Sequence, residues 1–260
     1  MKLLKGTLLI AGTTIGGGML ALPILTAQLG LVPTLFLLFV CWFVMMATGL
    51  ILLEVTLWYP DQTNLLTLSK RTLGLGGEIF TLILYLFLFY SLMTAYIAGV
   101  GDLFGTFLPF SAPFLKTLAL IVLFPVLWGG AALVGRVNSW LMLLLFATYL
   151  VFVVLGFPLI DLSHFERSDW SKFAYALPIT FTAFSYQGTL PSVIQYLDRD
   201  RSKVRIAVVL GTLIPLVVYI FWQIVVIGNV PFHGPQGLEE ALQKGSSAIG
   251  PSPIGSNGLS

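Results

Sequence analysis

The sequence has little charge: only 9% of its 260 residues are Asp, Glu, Lys or Arg. Soluble domains carry about 25% charged residues, so this scarcity excludes a soluble globular protein. Hydrophobic residues make up 57% of the chain, and we predict an all-α integral membrane protein in contact with the lipid bilayer. The net charge of +2 is too small to indicate a nucleic-acid partner.

Cysteine and histidine are also scarce. The one cysteine, Cys41, lies in an apolar run, which excludes a disulfide framework and a cysteine-rich metal site. The two histidines, His164 and His233, fall in polar connections rather than in one pocket. We therefore predict no metal, no cofactor and no enzymatic activity.

Seven apolar segments are long enough to cross a bilayer, which takes about 20 residues. They cover residues 6–29, 33–57, 78–107, 116–134, 139–160, 173–197 and 206–230. These spans form a membrane domain over residues 1–230. An amphipathic segment outside the membrane should follow over 231–244, and the Gly-, Ser- and Pro-rich stretch 245–260 should be a disordered tail.

Lysine and arginine predict the orientation, because cytoplasmic loops carry an excess of them. An N-terminus on the cytoplasmic side places nine of the 13 Lys and Arg residues inside and four outside. The inner residues are Lys2, Lys5, Lys70, Arg71, Arg136, Arg199, Arg201, Lys203 and Arg205, and the outer ones are Lys116, Arg167, Lys172 and Lys244. We therefore expect the N-terminus in the cytoplasm.

Four glycines interrupt the first span at Gly12, Gly16, Gly17 and Gly18. Each costs roughly 1 kcal/mol of helix propensity relative to alanine. Backbone groups freed in a membrane are tolerated only where they are buried in protein or line a cavity. Either the helix breaks here to hold a ligand, or the glycines allow close helix packing.

The sixth span is interrupted in the same way, by Pro178, Gly188 and Pro191. It follows the first span by five helices, so it crosses the membrane in the opposite direction. Paired broken helices of this kind are typical of inverted-repeat transporters, which bind substrate near the bilayer midplane. The two interruptions together favour a binding site over simple packing.

An amino acid suits two broken helices. Free N–H groups at half-helix N-termini attract a carboxylate, and unwound carbonyls attract an ammonium group. The candidate substrate-binding residues are Gly12, Thr13, Thr14, Gly16, Gly17, Gly18, Phe184, Ser185, Tyr186, Gln187 and Gly188. Tyr96 of the third span is a further candidate. The alternative for the glycines and threonines is a packing face, and for the aromatic residues ordinary core.

Two acidic residues lie within spans, Glu54 in the second and Asp102 in the third. Ionisable groups in a membrane are costly and suggest function, so both are candidates for proton coupling. Each also lies near the end of its span, where its side chain could reach the interface or pair with a loop cation instead.

Three stretches carry a resemblance to a known family. Gly12-Thr-Thr-Ile-Gly-Gly-Gly-Met-Leu-Ala-Leu-Pro23 resembles the first-helix motif of the bacterial aromatic amino acid permeases, and Phe181-Thr-Ala-Phe-Ser-Tyr-Gln-Gly-Thr-Leu-Pro-Ser192 is similar to their sixth-helix motif. Pro231 to Leu242 resembles the segment after helix seven, so the resemblance covers about residues 3–243.

The resemblance implies a leucine-transporter fold of eleven spanning helices, with helices 1 and 6 discontinuous. It also implies import of an aromatic amino acid, tyrosine in preference to tryptophan, across the bacterial inner membrane. The symported ion should be a proton, with sodium as the alternative.

The chain departs from this family in two ways. The family usually has histidine where this chain has Gln187, and the family's eighth helix has no counterpart here. We therefore interpret the chain as truncated after helix seven, with an incomplete second inverted repeat. The alternative to a transporter is a truncated, non-transporting membrane fragment of such a permease.

Overall fold

The structure, a computed structural model, describes residues 2–16, 18–59, 64–232 and 237–240. Within those ranges the regular elements are all helical and no strand occurs, which confirms the all-α prediction. The α-helices are α1 (Lys2–Thr14), α2 (Gly18–Thr26), α3 (Leu31–Leu57), α4 (Leu65–Phe107), α5 (Ala112–Trp128), α6 (Gly130–Gly156), α7 (Phe173–Ala183), α8 (Leu190–Tyr196) and α9 (Arg201–Asn229).

Four helical stretches in the described part of the chain are long and apolar enough to cross a membrane. They are Leu31–Leu57, Leu65–Gly105, Ser139–Leu159 and Arg201–Asn229. A shorter apolar helix covers Ala112–Val126, within the fourth predicted span.

The first and sixth predicted spans are each divided into two shorter helices. The first consists of α1, which ends at Thr14, and α2, which begins at Gly18. The sixth consists of α7, a 3-10 turn over Gln187–Thr189, and α8. This confirms that helices 1 and 6 are discontinuous. Gly17 lies outside the described residues.

The chain divides into two compact units. The first unit combines Met1–Val55 with Phe152–Ser260. Its centre is α9, which packs along α1 and α2, while α1 also contacts α8 and α2 contacts α7. The buried residues of α9 recur at helical spacing, as expected for a helix with one face on a core. That face consists of Val204, Ala207, Val208, Gly211, Thr212, Pro215, Leu216, Tyr219 and Gln223.

A tight turn at Gly30 joins α2 to α3 in this unit. Gly30 has φ +83°, a conformation that residues with a Cβ rarely adopt, and a side chain there would collide with the backbone carbonyl of Arg167. The backbone N–H of Asp169 donates to the carbonyl of Leu29 at 2.8 Å. The loop before α7 is thereby fixed to the turn after α2.

The second unit covers Thr56–Val151. Its long helix α4 packs against α5 and bends at Gly74, which has φ 74° and ψ −166°. The Asn64 side chain caps α4 by accepting a hydrogen bond from the Thr67 N–H at 2.8 Å. The polar connection predicted between the second and third spans is therefore helical from Leu65 onward.

Little of the predicted extramembrane segment falls within the described residues. The helical residues Leu238–Glu240 are bonded to the first two residues of the same segment. Leu238 N–H donates to Pro231 O at 3.1 Å, and Glu239 N–H donates to Phe232 O at 3.0 Å. Residues 241–260, including the predicted tail over 245–260, lie outside the described residues, and His233 does too.

Candidate functional site

The first interruption leaves a short irregular backbone between α1 and α2. Thr13 and Thr14 both donate their hydroxyl hydrogens to the Ile10 carbonyl, at 2.9 and 2.8 Å. These hydroxyl oxygens therefore present lone pairs, which suit a cationic partner such as an ammonium group. Thr14 is buried, whereas Thr13 is exposed. A Cβ on Gly16 would meet no atom within 4 Å, so open space adjoins the interruption.

The other predicted residues of the first segment contribute backbone only. Gly12 is half-buried inside α1, and Gly18 is the first residue of α2. The backbone N–H of Met19 donates to the Gly16 carbonyl at 2.9 Å, across the interruption. The N-terminal end of α2 therefore lies close to the open space beside Gly16.

The second interruption is longer, because α7 ends at Ala183 and α8 begins at Leu190. The N–H groups of Phe184 and Ser185 donate to the carbonyls of Phe181 and Thr182 at 3.2 and 3.1 Å, which closes α7. Pro191 lies in the first turn of α8, where its missing N–H costs no helical hydrogen bond. Proline after the turn and Gly188 within it explain why this span does not continue as one helix.

The two interruptions lie side by side. The hydroxyl oxygens of Thr13 and Thr189 are 3.5 Å apart. Because α1 contacts α8 and α2 contacts α7, the two broken spans run in opposite directions, as their five-helix offset predicts. The structure thus brings the two sequence-predicted sets of residues together in one unit.

Tyr219 of α9 connects the two broken helices. Its hydroxyl donates to the carbonyl of Thr14 at 2.8 Å and lies 3.2 Å from the carbonyl of Ala183. These two residues end α1 and α7, where carbonyl groups have no helical partner. Tyr219 is fully buried, and the Phe184 ring packs against its edge with centroids 5.4 Å apart.

Tyr186 and Gln187 attach the second interruption to α3. The Tyr186 hydroxyl donates to the Met45 carbonyl at 3.2 Å, and Gln187 Nε2 lies 3.3 Å from both this carbonyl and the hydroxyl of Thr48. A Cβ on Gly49 would collide with the Tyr186 hydroxyl. The absence of a side chain at Gly49 is therefore what lets the tyrosine reach α3.

The two candidate aromatic residues are both buried, with exposed fractions of 1% for Phe184 and 2% for Tyr186. Their rings contact protein, which corresponds to the core alternative considered for them. By contrast, Ser185 and Gly188 are exposed. The accessible surface of the paired interruptions is thus formed by Thr13, Ser185 and Gly188, beside the open space at Gly16.

The two acidic candidates lie in different units. Glu54 accepts hydrogen bonds from Arg201, through Nε at 2.9 Å and also through Nη2, and from Arg205 Nη2 at 2.6 Å. This is the cation pairing considered as the alternative to proton transfer. Asp102 belongs to α4 in the second unit, but its side chain is outside the described part of the structure. Tyr96, also on α4, is 54% exposed.

Tyr219 and its neighbours on α9 are the site residues that the sequence interpretation missed. Thr212, Tyr219 and Gln223 are separated by seven and four residues, so they share one helix face, and all three are buried. Gln223 donates to the hydroxyl of Thr26 at 3.0 Å, and Thr212 accepts from Trp42 Nε1 at 3.2 Å. A polar stripe at helical spacing in an otherwise apolar span was the available signal.

Metal ligands are not grouped in the described ranges. Among residues 2–16, 18–59, 64–232 and 237–240, no three His, Cys, Asp or Glu side chains lie close enough together to hold a metal ion. The site presents hydroxyl oxygens and backbone groups beside an open space. Such groups can form hydrogen bonds with a small polar organic molecule.

Several long apolar helices, together with two interrupted ones, are typical of a multi-pass membrane protein. The profile of the tryptophan/tyrosine permease family matches residues 1–249, and the chain belongs to this family. Its members are transport proteins rather than enzymes, and the resemblance seen in the two glycine- and proline-containing motifs is confirmed.

Three relatives illustrate the family. The chain is 31% identical over 230 residues to the tyrosine-specific transport system 1 of Haemophilus influenzae, which covers 86% of this chain and 57% of the relative. It is 30% identical over 240 residues to the low affinity tryptophan permease of Escherichia coli K12, covering 87% and 58%. It is 28% identical over 239 residues to glutamine transporter 2 of Aliivibrio fischeri, covering 88% and 61%.

The chain therefore spans less than two thirds of the length of these relatives. No solved structure was found to match it.

Proposed function

We propose that the chain takes part in the import of an aromatic amino acid, tyrosine in preference to tryptophan, by proton symport. The observation that carries this proposal is the pairing of the two interrupted spans, with the hydroxyl oxygens of Thr13 and Thr189 3.5 Å apart. Two helix breaks at one place supply both N–H and carbonyl groups within the membrane, where such groups are otherwise costly.

The α-carboxylate is assigned to the start of α2. The glycines at 16–18 allow close approach of a ligand to the backbone, and the N-terminal end of a helix carries a partial positive charge. A Cβ added at Gly16 would meet no atom within 4 Å, which supports the placement of the carboxylate beside this residue.

The α-ammonium group is assigned to the end of α1. The hydroxyl oxygens of Thr13 and Thr14 have already donated their hydrogens to Ile10, so they can only accept a hydrogen bond from a ligand. The C-terminal end of α1 adds a partial negative charge. An amino acid bound in this way lies across the first interruption.

The ligand side chain is assigned to the exposed surface of the second interruption, at Ser185 and Gly188. The relatives are named for tyrosine, tryptophan and glutamine, which share the α-amino and α-carboxyl groups and differ in the side chain. This supports the proposal that the first interruption binds the α-amino and α-carboxyl groups, while the second interruption contacts the side chain. The aromatic preference is supported by the names of most of these relatives.

Proton coupling is proposed for Asp102 or Glu54, the acidic residues inside spans, with sodium as the alternative ion. The Glu54 carboxylate is paired with two arginines, so it can take up a proton only if these pairs rearrange. Localisation in the bacterial inner membrane is proposed from membership of the permease family, and the cytoplasmic N-terminus is proposed from the Lys and Arg distribution.

The test separates binding from transport. The purified chain, reconstituted in vesicles, is assayed for binding of radiolabelled tyrosine, tryptophan and glutamine, and for uptake under an imposed proton or sodium gradient. The expected result is tyrosine binding that is competed by the free amino acid but not by its methyl ester or N-acetyl derivative. Binding that depends on the ring alone would contradict the assignment of the headgroup.

A further inference from the structure

A cluster of charged residues lies beside the first turn of α9. Two of its lysines are matched one to one with aspartates. Lys2 Nζ lies 2.8 Å from the carboxylate of Asp198, and Lys203 Nζ lies 2.7 Å from that of Asp200. These two pairs are electrically neutral, so any surplus of positive charge lies elsewhere in the cluster.

Arg201 and Arg205 carry such a surplus. Both bind the single carboxylate of Glu54 on α3, so two cations share one anion and the group carries a net charge of +1. The arginines are four residues apart on one helix, where like charges repel. Arg201 uses two N–H groups on Glu54 and Arg205 uses one, of the five that each guanidinium carries. The two side chains are 57% and 51% exposed.

An apolar groove opens directly beside these arginines. It has a volume of about 420 Å³ and is lined by Leu50, Ile51 and Val209, with Glu54 and Arg205 at its polar end. Ile51 is 63% exposed. The groove runs between α3 and α9, both long enough to cross a membrane. Its walls are therefore set at the depth of lipid chains and its cations near the end of the spans.

We propose that this groove binds an anionic phospholipid. Its phosphate lies on the guanidinium groups of Arg201 and Arg205, and one acyl chain lies along Leu50, Ile51 and Val209. Guanidinium groups bind phosphate oxygens through paired N–H groups, and a second anion balances the charge that Glu54 leaves uncompensated. A zwitterionic lipid carries its own cationic group, so its phosphate gains less electrostatic binding energy from the two arginines. A free phosphate ion leaves the apolar walls uncovered.

The proposal is tested on the full chain by native mass spectrometry. Retention of phosphatidylglycerol is compared with that of phosphatidylcholine carrying the same acyl chains. We expect preferential retention of phosphatidylglycerol and, for Arg205→Gln, an approximately fivefold loss of that preference, the equivalent of about 1 kcal/mol per cation near an anionic surface. Arg136→Gln, which removes an exposed arginine of the second unit, should leave the preference unchanged.

Glu54→Gln distinguishes a lipid site from a merely structural ion pair. Without the carboxylate, the two arginines carry a net charge of +2, so phosphatidylglycerol binding should rise by a similar factor. A structural role predicts the opposite, because the variant would lose the group that holds the arginines in place. A fall in phosphatidylglycerol binding on Glu54→Gln would overturn the proposal.

Two more measurements test the groove itself. Ile51→Ser should weaken phosphatidylglycerol binding without a change in circular dichroism or unfolding temperature. Inorganic phosphate should fail to displace the bound lipid at millimolar concentration. Full displacement by inorganic phosphate, or unchanged binding in both Ile51→Ser and Arg205→Gln, would show that the groove holds no lipid.

Discussion

The hydroxyl of Tyr219 lies 2.8 Å from the carbonyl oxygen of Thr14, the last residue of α1. The same hydroxyl is 3.2 Å from the carbonyl of Ala183, the last residue of α7. One side chain of an uninterrupted helix therefore holds the ends of both interrupted ones. Since these carbonyls belong to the backbone, the connection does not depend on which side chains Thr14 and Ala183 carry.

Tyr219→Phe is expected to lower both stability and uptake. The variant keeps the ring against Phe184 but removes the hydrogen-bond donor, and a buried polar group left unsatisfied costs about 1–3 kcal/mol. Thermal unfolding of the purified chain and amino acid uptake measure the two effects. Tyr175→Phe, which alters an exposed ring on α7, is the matched control. Equal behaviour of the two variants would show that the Tyr219 hydroxyl does not hold the helix ends.

Gly49→Ala is expected to destabilise the chain through its contact with Tyr186. The new Cβ collides with the hydroxyl and lies 2.7 Å from Cζ of the same ring. Crowding in a packed interior typically costs about 1–3 kcal/mol. Combining Gly49→Ala with Tyr186→Phe removes the closest atom. The double variant should therefore lose less free energy of unfolding than the sum of the losses in the two single variants. Strict additivity in thermal unfolding would argue against this contact.

Substitutions at Gly16 test the open space beside the first interruption. Gly16→Ala should fold normally, because a Cβ there meets no neighbour within 4 Å. Gly16→Leu fills the proposed carboxylate position and should abolish tyrosine binding while the unfolding temperature stays close to that of Gly16→Ala. Tyrosine binding that survives in a folded Gly16→Leu variant would remove Gly16 from the substrate site.

The acid stability of the chain should depend in part on Asp169. Hydrogen bonds from the Ser171 hydroxyl at 2.6 Å and the Ser171 backbone N–H at 2.9 Å hold the pKa of this carboxyl below its usual range. A depressed pKa stabilises the folded state above the unfolded value of about 3.9, and this contribution is lost as the pH falls through the folded pKa.

Thermal unfolding of wild type and Asp169→Ala between pH 7 and pH 3 measures this effect. The difference between the two should be constant from pH 7 to about pH 5 and should shrink below about pH 4. Ser171→Ala, which removes only the hydroxyl, should reproduce part of the change. A difference that stays constant down to pH 3 would mean that the Asp169 carboxylate does not contribute.

The sequence was sufficient to predict the helix interruptions because glycine and proline act locally. Gly16 and Gly188 lower helix propensity wherever they occur, and Pro191 removes a backbone donor. Tyr219 could not be found in this way, because its role depends on two carbonyls that are distant in sequence. Tyr186 was a candidate for ligand contact, with ordinary core as the alternative. The direction of its ring depends on Gly49, whose lack of a side chain matters only once α3 is packed beside it.

For Glu54, too, the sequence predicted the kind of partner but not which residues would be the partners. Its position near the end of a span made pairing with a loop cation one of two interpretations. The choice of Arg201 and Arg205 depends on the packing of α3 against the start of α9. The helical stretch from Leu65 to Gly74 was likewise hidden by its polar composition, and its N-cap at Asn64 was the local signal for it.

The contact of α1 with α8 and of α2 with α7 has a consequence for movement. The four half-helices form two pairs, and each pair combines one half of the first span with the opposite half of the sixth. Displacement of α1 without α8, or of α2 without α7, would break the contacts within that pair. Each interrupted span therefore depends on the other along both of its halves.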